Sequence, residues 1–193
     1  MGVSLRTDRL ILRPWTDADR APFAAMNADP EVRRFFSSLQ TRAESDKSAD
    51  FLASQFARTP YGPWAVEVPG ETAFAGFVGP WETPPDVRPH GGVEIGWRLA
   101  RAFWGKGYAT EAARAALDFV FRENHLDGIV AFVVPANAAS RAVMERIGLR
   151  EDPTAAFDHP RVPEGHPQRR HLLYRLARRD WTAPAAKPYT VLS

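Results

Sequence analysis

The run Trp104-Gly105-Lys106-Gly107-Tyr108-Ala109-Thr110 is the stretch around which this chain is organised. Residues 93–99 before it are strand-like, and residues 110–123 after it have the period of a helix. A strand, a glycine turn and a helix start gather several unpartnered backbone N–H groups in one small concavity. The helix dipole adds partial positive charge there. Such a place binds an anion, above all a phosphate, with little help from side chains. Glycines let the backbone approach the ligand and turn without a Cβ clash. A glycine turn that merely ends a strand uses the same letters, so the loop alone leaves both readings open.

Working outward, the helix after the loop places Ala113, Ala116, Leu117, Val120 and Phe121 on one stripe, with Arg114, Asp118 and Arg122 opposite. Residues 129–134 form a continuous apolar run, which suits a strand buried on both faces. Asn137 then N-caps a short helix containing Ala142, Val143 and Ile147, closed by Gly148. Upstream of the loop, Leu10, Ile11 and Leu12 mark a first strand, and Thr16 caps a helix to about residue 27 that turns Phe23 and Met26 inward. Residues 31–36 add a helical turn or two. A helix over residues 45–58 carries Phe51, Leu52, Gln55 and Phe56 on one face. Residues 64–68 and 74–78 read as strands joined by a hairpin at Pro69-Gly70-Glu71.

Three segments resist assignment to an element. Residues 79–92 hold Pro80, Pro84, Pro85 and Pro89 and are expected to be a loop, because proline removes ladder donors. Residues 152–168 are rich in Pro and His and lack periodicity, before strand character returns at 171–176. Residues 182–193 form a Pro/Ala-rich tail, set apart from a domain over 1–181. The whole reads as one mixed α+β (α/β) domain.

Composition narrows the function. The 193 residues carry a formal charge of only +2, with lysine confined to Lys47, Lys106 and Lys187, and no basic face interleaved with aromatics marks a nucleic-acid partner. The absence of cysteine excludes disulfides, thiolate metal sites and a Cys nucleophile. His159, His166 and His171 are too irregularly spaced to suggest a metal, so none is expected. No apolar run approaches the ~20 residues that span a bilayer, and the N-terminus lacks a signal-peptide core. A cytoplasmic protein without membrane contact is the expectation.

Three segments together resemble the GNAT superfamily of acyl-CoA-dependent N-acetyltransferases, and more narrowly its RimJ/RimL type. They are TDRLILRPWTDAD near the N-terminus, VEIGWRLARAFWGKGYATEAARAALDFVF in the centre, and VVPANAASRAVMERIGLR beyond it. The resemblance covers most of residues 5–180. It implies a mostly antiparallel mixed sheet, splayed between its two central strands and flanked by helices. Acetyl-CoA is the implied co-substrate. Gly105, Lys106, Gly107, Tyr108, Ala109 and Thr110 would hold its pyrophosphate through backbone N–H groups, with Trp104 standing where the family usually has Gln or Arg. Trp97, Arg98 and Leu99 would offer strand backbone to the pantetheine arm, and Asn137 and Ser140 would reach it from the other side. The implied partner is an amine acceptor, a small molecule or a protein N-terminus, and the resemblance allows a homodimer.

Acetylating an amine requires a neutral nucleophile, yet lysine-like and α-amines are mostly protonated at neutral pH. A general base must take that proton, and a donor must meet the developing oxyanion. Glu94 is the first candidate base; a structural or exposed strand carboxylate is the alternative. Alternation puts Glu94, Gly96 and Arg98 on one side of their strand and Val93, Ile95 and Trp97 on the other. Many relatives use a tyrosine as general acid where this chain has Met144. Ser140, one turn earlier, is the substitute candidate, with coenzyme contact as its other role. His159, Arg161, Glu164 and His166 are candidates to line the acceptor pocket. An acyl-CoA-binding module without chemistry is the competing function. A nucleotide-binding enzyme is disfavoured, since Gly105-x-Gly107 lacks the third glycine of the dinucleotide fingerprint and no P-loop is present.

Overall fold

A computed structural model of the chain describes residues 2–87 and 92–192. In chain order the strands are β1 (Ser4–Arg6), β2 (Ile11–Arg13), β3 (Trp64–Val68), β4 (Thr72–Glu82), β5 (Val93–Leu99), β6 (Gly128–Val133), β7 (Arg150–Asp158), β8 (Arg170–Ala177) and β9 (Thr190–Leu192). The helices are α1 (Arg20–Ala28), α2 (Pro30–Arg33), α3 (Arg42–Ser54), α4 (Tyr108–Glu123) and α5 (Ala138–Arg146). All the strands join one sheet in the order β7-β8-β6-β5-β4-β3-β2-β1-β9. Every pairing is antiparallel except that of β5 with β6, which share a single register pair, Glu94 with Val130. The two central strands are therefore in contact near the start of β5 and unpaired beyond it. This is the expected mixed sheet with its central splay.

Two apolar clusters cover the two faces. On one face the α4 stripe of Ala113, Ala116, Leu117, Val120 and Phe121 packs with Ile95, Ile129, Ala131, Met144 and Tyr174. On the other, Phe23 and Met26 of α1, Val32 of α2 and Leu52 of α3 pack on Ala65, Phe74 and Phe77. Alternation along β5 thus has a meaning that sequence left open: Ile95 belongs to the α4 face, and Glu94, Gly96 and Arg98 to the face beneath α1–α3. Helix α3 begins earlier than expected because Thr41 and Glu44 form a capping box. On α3, Leu52 is buried and Phe51 is exposed, so the inward face excludes Phe51.

Four expectations are corrected. Residues 79–82 are strand, not loop: Pro80 pairs with Ile95 in β4. The β3–β4 register ends at Val78, so from Gly79 onward β4 has one neighbour, and the missing N–H of Pro80 breaks no ladder on the free side. Residues 83–87 leave the sheet, while the stretch 88–91 of the expected loop, with Pro89, lies outside the described residues. Residues 152–158 belong to β7, whose register on β8 shifts between Asp152 and Phe157. As the sheet's outer strand with a bulge, β7 accommodates Pro153 and hides its period. The unassigned tail returns to the sheet, with Thr190–Leu192 antiparallel to β1. Lastly, Asp118 is fully buried instead of facing solvent. Its carboxylate accepts from Arg122 Nε at 2.8 Å and from the Trp181 indole at 3.3 Å, because residues beyond β8 pass over this side of α4.

Candidate active site

The loop after β5 is shaped by two glycines. Gly105 and Gly107 have φ of +75° and +82°, a region that costs residues with a Cβ, and β-branched ones most. Gly107 is the N-cap of α4 and supplies no side-chain cap, so no side chain closes off the first-turn N–H groups of Tyr108, Ala109 and Thr110. Space beside the loop is open. A Cβ on Gly105 would meet nothing within 4 Å, and one on Gly107 only the Arg9 guanidinium at 3.4 Å. A diphosphate fits this set of donors: backbone N–H groups at a helix start, with no carboxylate aimed among them.

Side chains that sequence reasoning did not single out fix the loop in place. Arg9 donates from Nη1 to the Lys106 carbonyl at 3.0 Å and from Nε to Glu111 Oε2 at 2.7 Å. Thr7 donates its hydroxyl to Glu111 Oε1 at 2.6 Å. The Arg9 guanidinium also lies over the Tyr108 ring at 4.9 Å. Trp104, at the unusual family position, donates its indole N–H to the Leu99 carbonyl at 2.8 Å and ties the loop back to the end of β5. Lys106 reaches away from the loop to Glu71 at 2.6 Å. The only sequence signal for this brace was the TDRL segment itself, since its partner Glu111 lies 102 residues on.

Glu94 sits where the central strands touch. It is 8 % exposed, and burial pushes its carboxyl up to about 8 against the opposing effect of a hydrogen bond with Trp81. Trp81 is its register partner on β4, and its ring lies across Gly96, where any side chain would collide with it. Beyond Gly96 on the same face, Phe77 contacts Trp81 at 6.3 Å between centroids, and Arg98 lies over Phe77 at 5.5 Å. The Arg98 side chain then turns to Asn27, donating to its Oδ1 at 2.6 Å. So Trp97 and Leu99 project to the α4 side, while Arg98 projects under α1 and α2.

Across the splay, Asn137 caps α5 by accepting from the Ser140 N–H at 3.2 Å, which leaves its amide NH2 as donor. The Ser140 side chain is half-buried, and Met144 is core at 3 % exposure. Downstream, His159 joins His171, Phe132 and Phe157 in one ring cluster, with the imidazoles 5.0 Å apart. Burial first, then the neighbouring His171 and Arg161, push His159 down to about 4, and burial lowers His171. Arg161 forms a bidentate pair with Asp86 at 2.6 and 2.7 Å. His166 accepts from the Gln168 N–H at 3.1 Å. Glu164 is exposed. His159 and Arg161 thus fall in one region, facing residues 83–87, while Glu164 and His166 lie on the turn beyond. No group of His, Asp and Glu suited to a metal occurs among the described residues, and no described helix is long and apolar enough to cross a membrane.

The mixed sheet and its flanking helices, which set the loop after β5 beside the splay, form a fold that known proteins share. The family model for the acetyltransferase (GNAT) domain matches residues 9–150. Bacillus subtilis YkkB is 35% identical over 153 residues, 78% of this chain and 87% of that protein. The FsC-acetyl coenzyme A-N(2)-transacetylase of Aspergillus fumigatus is 30% identical over 92% of this chain and 77% of its own length. An acetyltransferase of Agrobacterium tumefaciens superposes with a TM-score of 0.72 at 28% identity, over 90% of this chain and 93% of that one. The chain belongs to the GNAT acetyltransferase family. Its activity is N-acetyl transfer.

Proposed function

We propose that this enzyme uses acetyl-CoA as donor and passes the acetyl group directly to a primary amine, on a small molecule or a protein N-terminus, with Glu94 as general base. The narrower RimJ/RimL-type placement is part of the proposal and rests on the three segments quoted above. The observation that carries the mechanism is Glu94 itself: a carboxyl buried at the one contact between β5 and β6, held up to about 8 and fixed by Trp81. A base is most useful when its pKa lies near the working pH.

The backbone N–H groups from Gly105 to Thr110 bind the donor's pyrophosphate, with Trp104 tying their loop to β5. The backbone of Trp97, Arg98 and Leu99 runs beside the pantetheine arm, and Asn137 and Ser140 meet it across the splay. At the acetyl carbon a C–N bond forms to the amine and the C–S bond breaks, releasing the coenzyme as its thiolate. Glu94 takes the proton that the nitrogen sheds. A backbone N–H on the unpaired edge of β5 meets the developing oxyanion. The thiolate's reference pKa near 8.5 lets it leave without a tyrosine acid, which makes Met144 compatible with turnover. Met144 is also the observation favouring the second reading, a coenzyme-binding module without chemistry.

Assay of thiol release from acetyl-CoA across a panel of amines and peptides, with wild type and Glu94→Gln, separates these readings. Turnover on some acceptor, reduced at least 100-fold in Glu94→Gln with coenzyme affinity within about twofold, is expected. Tight coenzyme binding without turnover on any acceptor establishes the binding module. Equal turnover in the variant removes Glu94 as base.

A further inference from the structure

The face of β5 that carries Glu94 ends in an electrostatic anomaly. Arg98 and Arg33 stack on the two-sided ring of Phe36, with guanidinium carbons 4.3 and 4.4 Å from its centroid. Arg33 is 7 % exposed, and Arg98 Nε is buried without a hydrogen-bond partner. Neither guanidinium has a carboxylate within salt-bridge distance among the described residues. Their recorded acceptors are neutral: the Ser38 carbonyl for Arg33 at 2.7 Å and Asn27 Oδ1 for Arg98 at 2.6 Å. The one carboxylate that acts on Arg33, Glu44, is committed to the Thr41 cap at 2.7 Å. Burial first and Arg33 second lower Arg98 to about 9, which still leaves it cationic at neutral pH.

Two like charges packed together, Arg33 buried and Arg98 half-buried, cost free energy that such cations normally recover from a carboxylate. A purely structural pair would gain nothing from doing without one. The cost is instead offset when an anion enters, and an arginine fork with an unfilled Nε–H suits a planar carboxylate. Phe36 between them is 41 % exposed, so the pair opens toward solvent and is not sealed in the core. The location is equally specific. Glu94 and Arg98 are four residues apart on one face of one strand, about 13 Å at Cα. The half-buried Trp81 ring lies across the interval at Gly96, with Phe77 packed against it in the core.

We infer that Arg33 and Arg98 bind an anionic group, a carboxylate, carried by the acceptor roughly 10 Å from its reacting amine, with Trp81 beside the apolar stretch between them. The inference rests on the acetyl-transfer reading for the position of the amine, and the anion site itself is testable without it.

Two acceptor ladders provide the test: ω-amino carboxylates from 4-aminobutyrate to 8-aminooctanoate, and the amino alcohols of matching length. Heptanoate, which has no amine, is titrated by calorimetry into the protein with coenzyme A. At the longer lengths the carboxylates are expected to exceed the alcohols at least tenfold in kcat/KM. Arg33→Met and Arg98→Met are each expected to reduce that advantage to about twofold or less, and Arg98→Lys to keep part of it. Heptanoate is expected to bind wild type and to be lost in Arg33→Met. Thermal melts identify any variant that does not fold; if Arg98→Met fails, Arg33→Met and Arg98→Lys decide. Equal kcat/KM for both ladders without heptanoate binding overturns the proposal and leaves acetyl transfer standing. Heptanoate binding that both Met variants retain overturns it as well. Heptanoate binding abolished by Arg33→Met, with neither ladder acetylated, upholds the anion site and counts against the transfer reading.

Discussion

The loop at 104–110 and the face of β5 that bears Glu94 meet along one strand, yet they are made of different material. The loop works through backbone. What it offers an anion is a set of N–H groups at the start of α4 and two glycines at positive φ, all within a few consecutive residues. The Glu94 face works through side chains. Glu94, Trp81, Phe77, Arg98, Arg33 and Asn27 arrive from β5, β4, α2 and α1, and their properties follow from mutual burial. A backbone site tolerates changes in most of its side chains. A side-chain site is altered by nearly any of them.

That contrast can be broken from either side. The largest effect is expected from Glu94→Gln, which should lower kcat by 100- to 10,000-fold, the usual range for removal of a positioned base. In wild type only the ionised carboxylate accepts a proton, so activity should climb as the pH rises and level off above about 8; a pH profile flat between 6 and 9 contradicts this assignment. The same group acts oppositely on stability. Between the ordinary glutamate range and about 8 the folded protein keeps a proton that the unfolded chain has released. Wild-type stability should therefore fall with rising pH across that window, by at most about 1.4 kcal/mol per pH unit. Denaturant melts of Glu94→Gln should lack this slope.

Gly107→Val should come next, weakening coenzyme A binding by about 100-fold in calorimetry. The cause is backbone strain, since a Cβ there meets only the end of Arg9 while a β-branched residue at φ +82° is a strong outlier. A smaller loss, about tenfold in coenzyme affinity, is expected for Arg9→Ala, which frees the Lys106 carbonyl and Glu111 without touching the N–H donors. Ser140→Ala should be the mildest, a change of a few fold in kcat or KM, because its N–H rather than its hydroxyl makes the recorded bond. If Arg9→Ala proved more damaging than Gly107→Val, the loop would depend on side chains after all.

The same distinction explains what could be read in the sequence. The loop, α4, β5, β6 and the Asn137 cap were legible because each is a local pattern: a glycine turn, a helical stripe, an apolar run, a capping residue. Strand β7 and the far part of β4 were not, since prolines at one-sided strand positions break the period without breaking the ladder. The burial of Asp118 depends on Trp181, 63 residues away. The lack of a carboxylate partner for Arg33 and Arg98 among the described residues is a property of what is missing around them, and no spacing in a sequence records an absence. Glu94 was nameable as a base, but its raised carboxyl and its Trp81 contact follow from the fold.

The Arg9–Glu111 brace has a consequence for how the site comes into being. The residues that write the phosphate loop are contiguous, but the residues that hold it still are separated by most of the chain. Arg9 lies in the turn between β1 and β2, so the contact joins that hairpin to the first turn of α4. Such long-range closures are entropically slow and follow local structure. A fragment containing β5, the loop and α4 would have the whole motif yet lack a rigid site. The rigidity of the loop at 104–110 thus depends on the chain's opening hairpin as well as on its own residues.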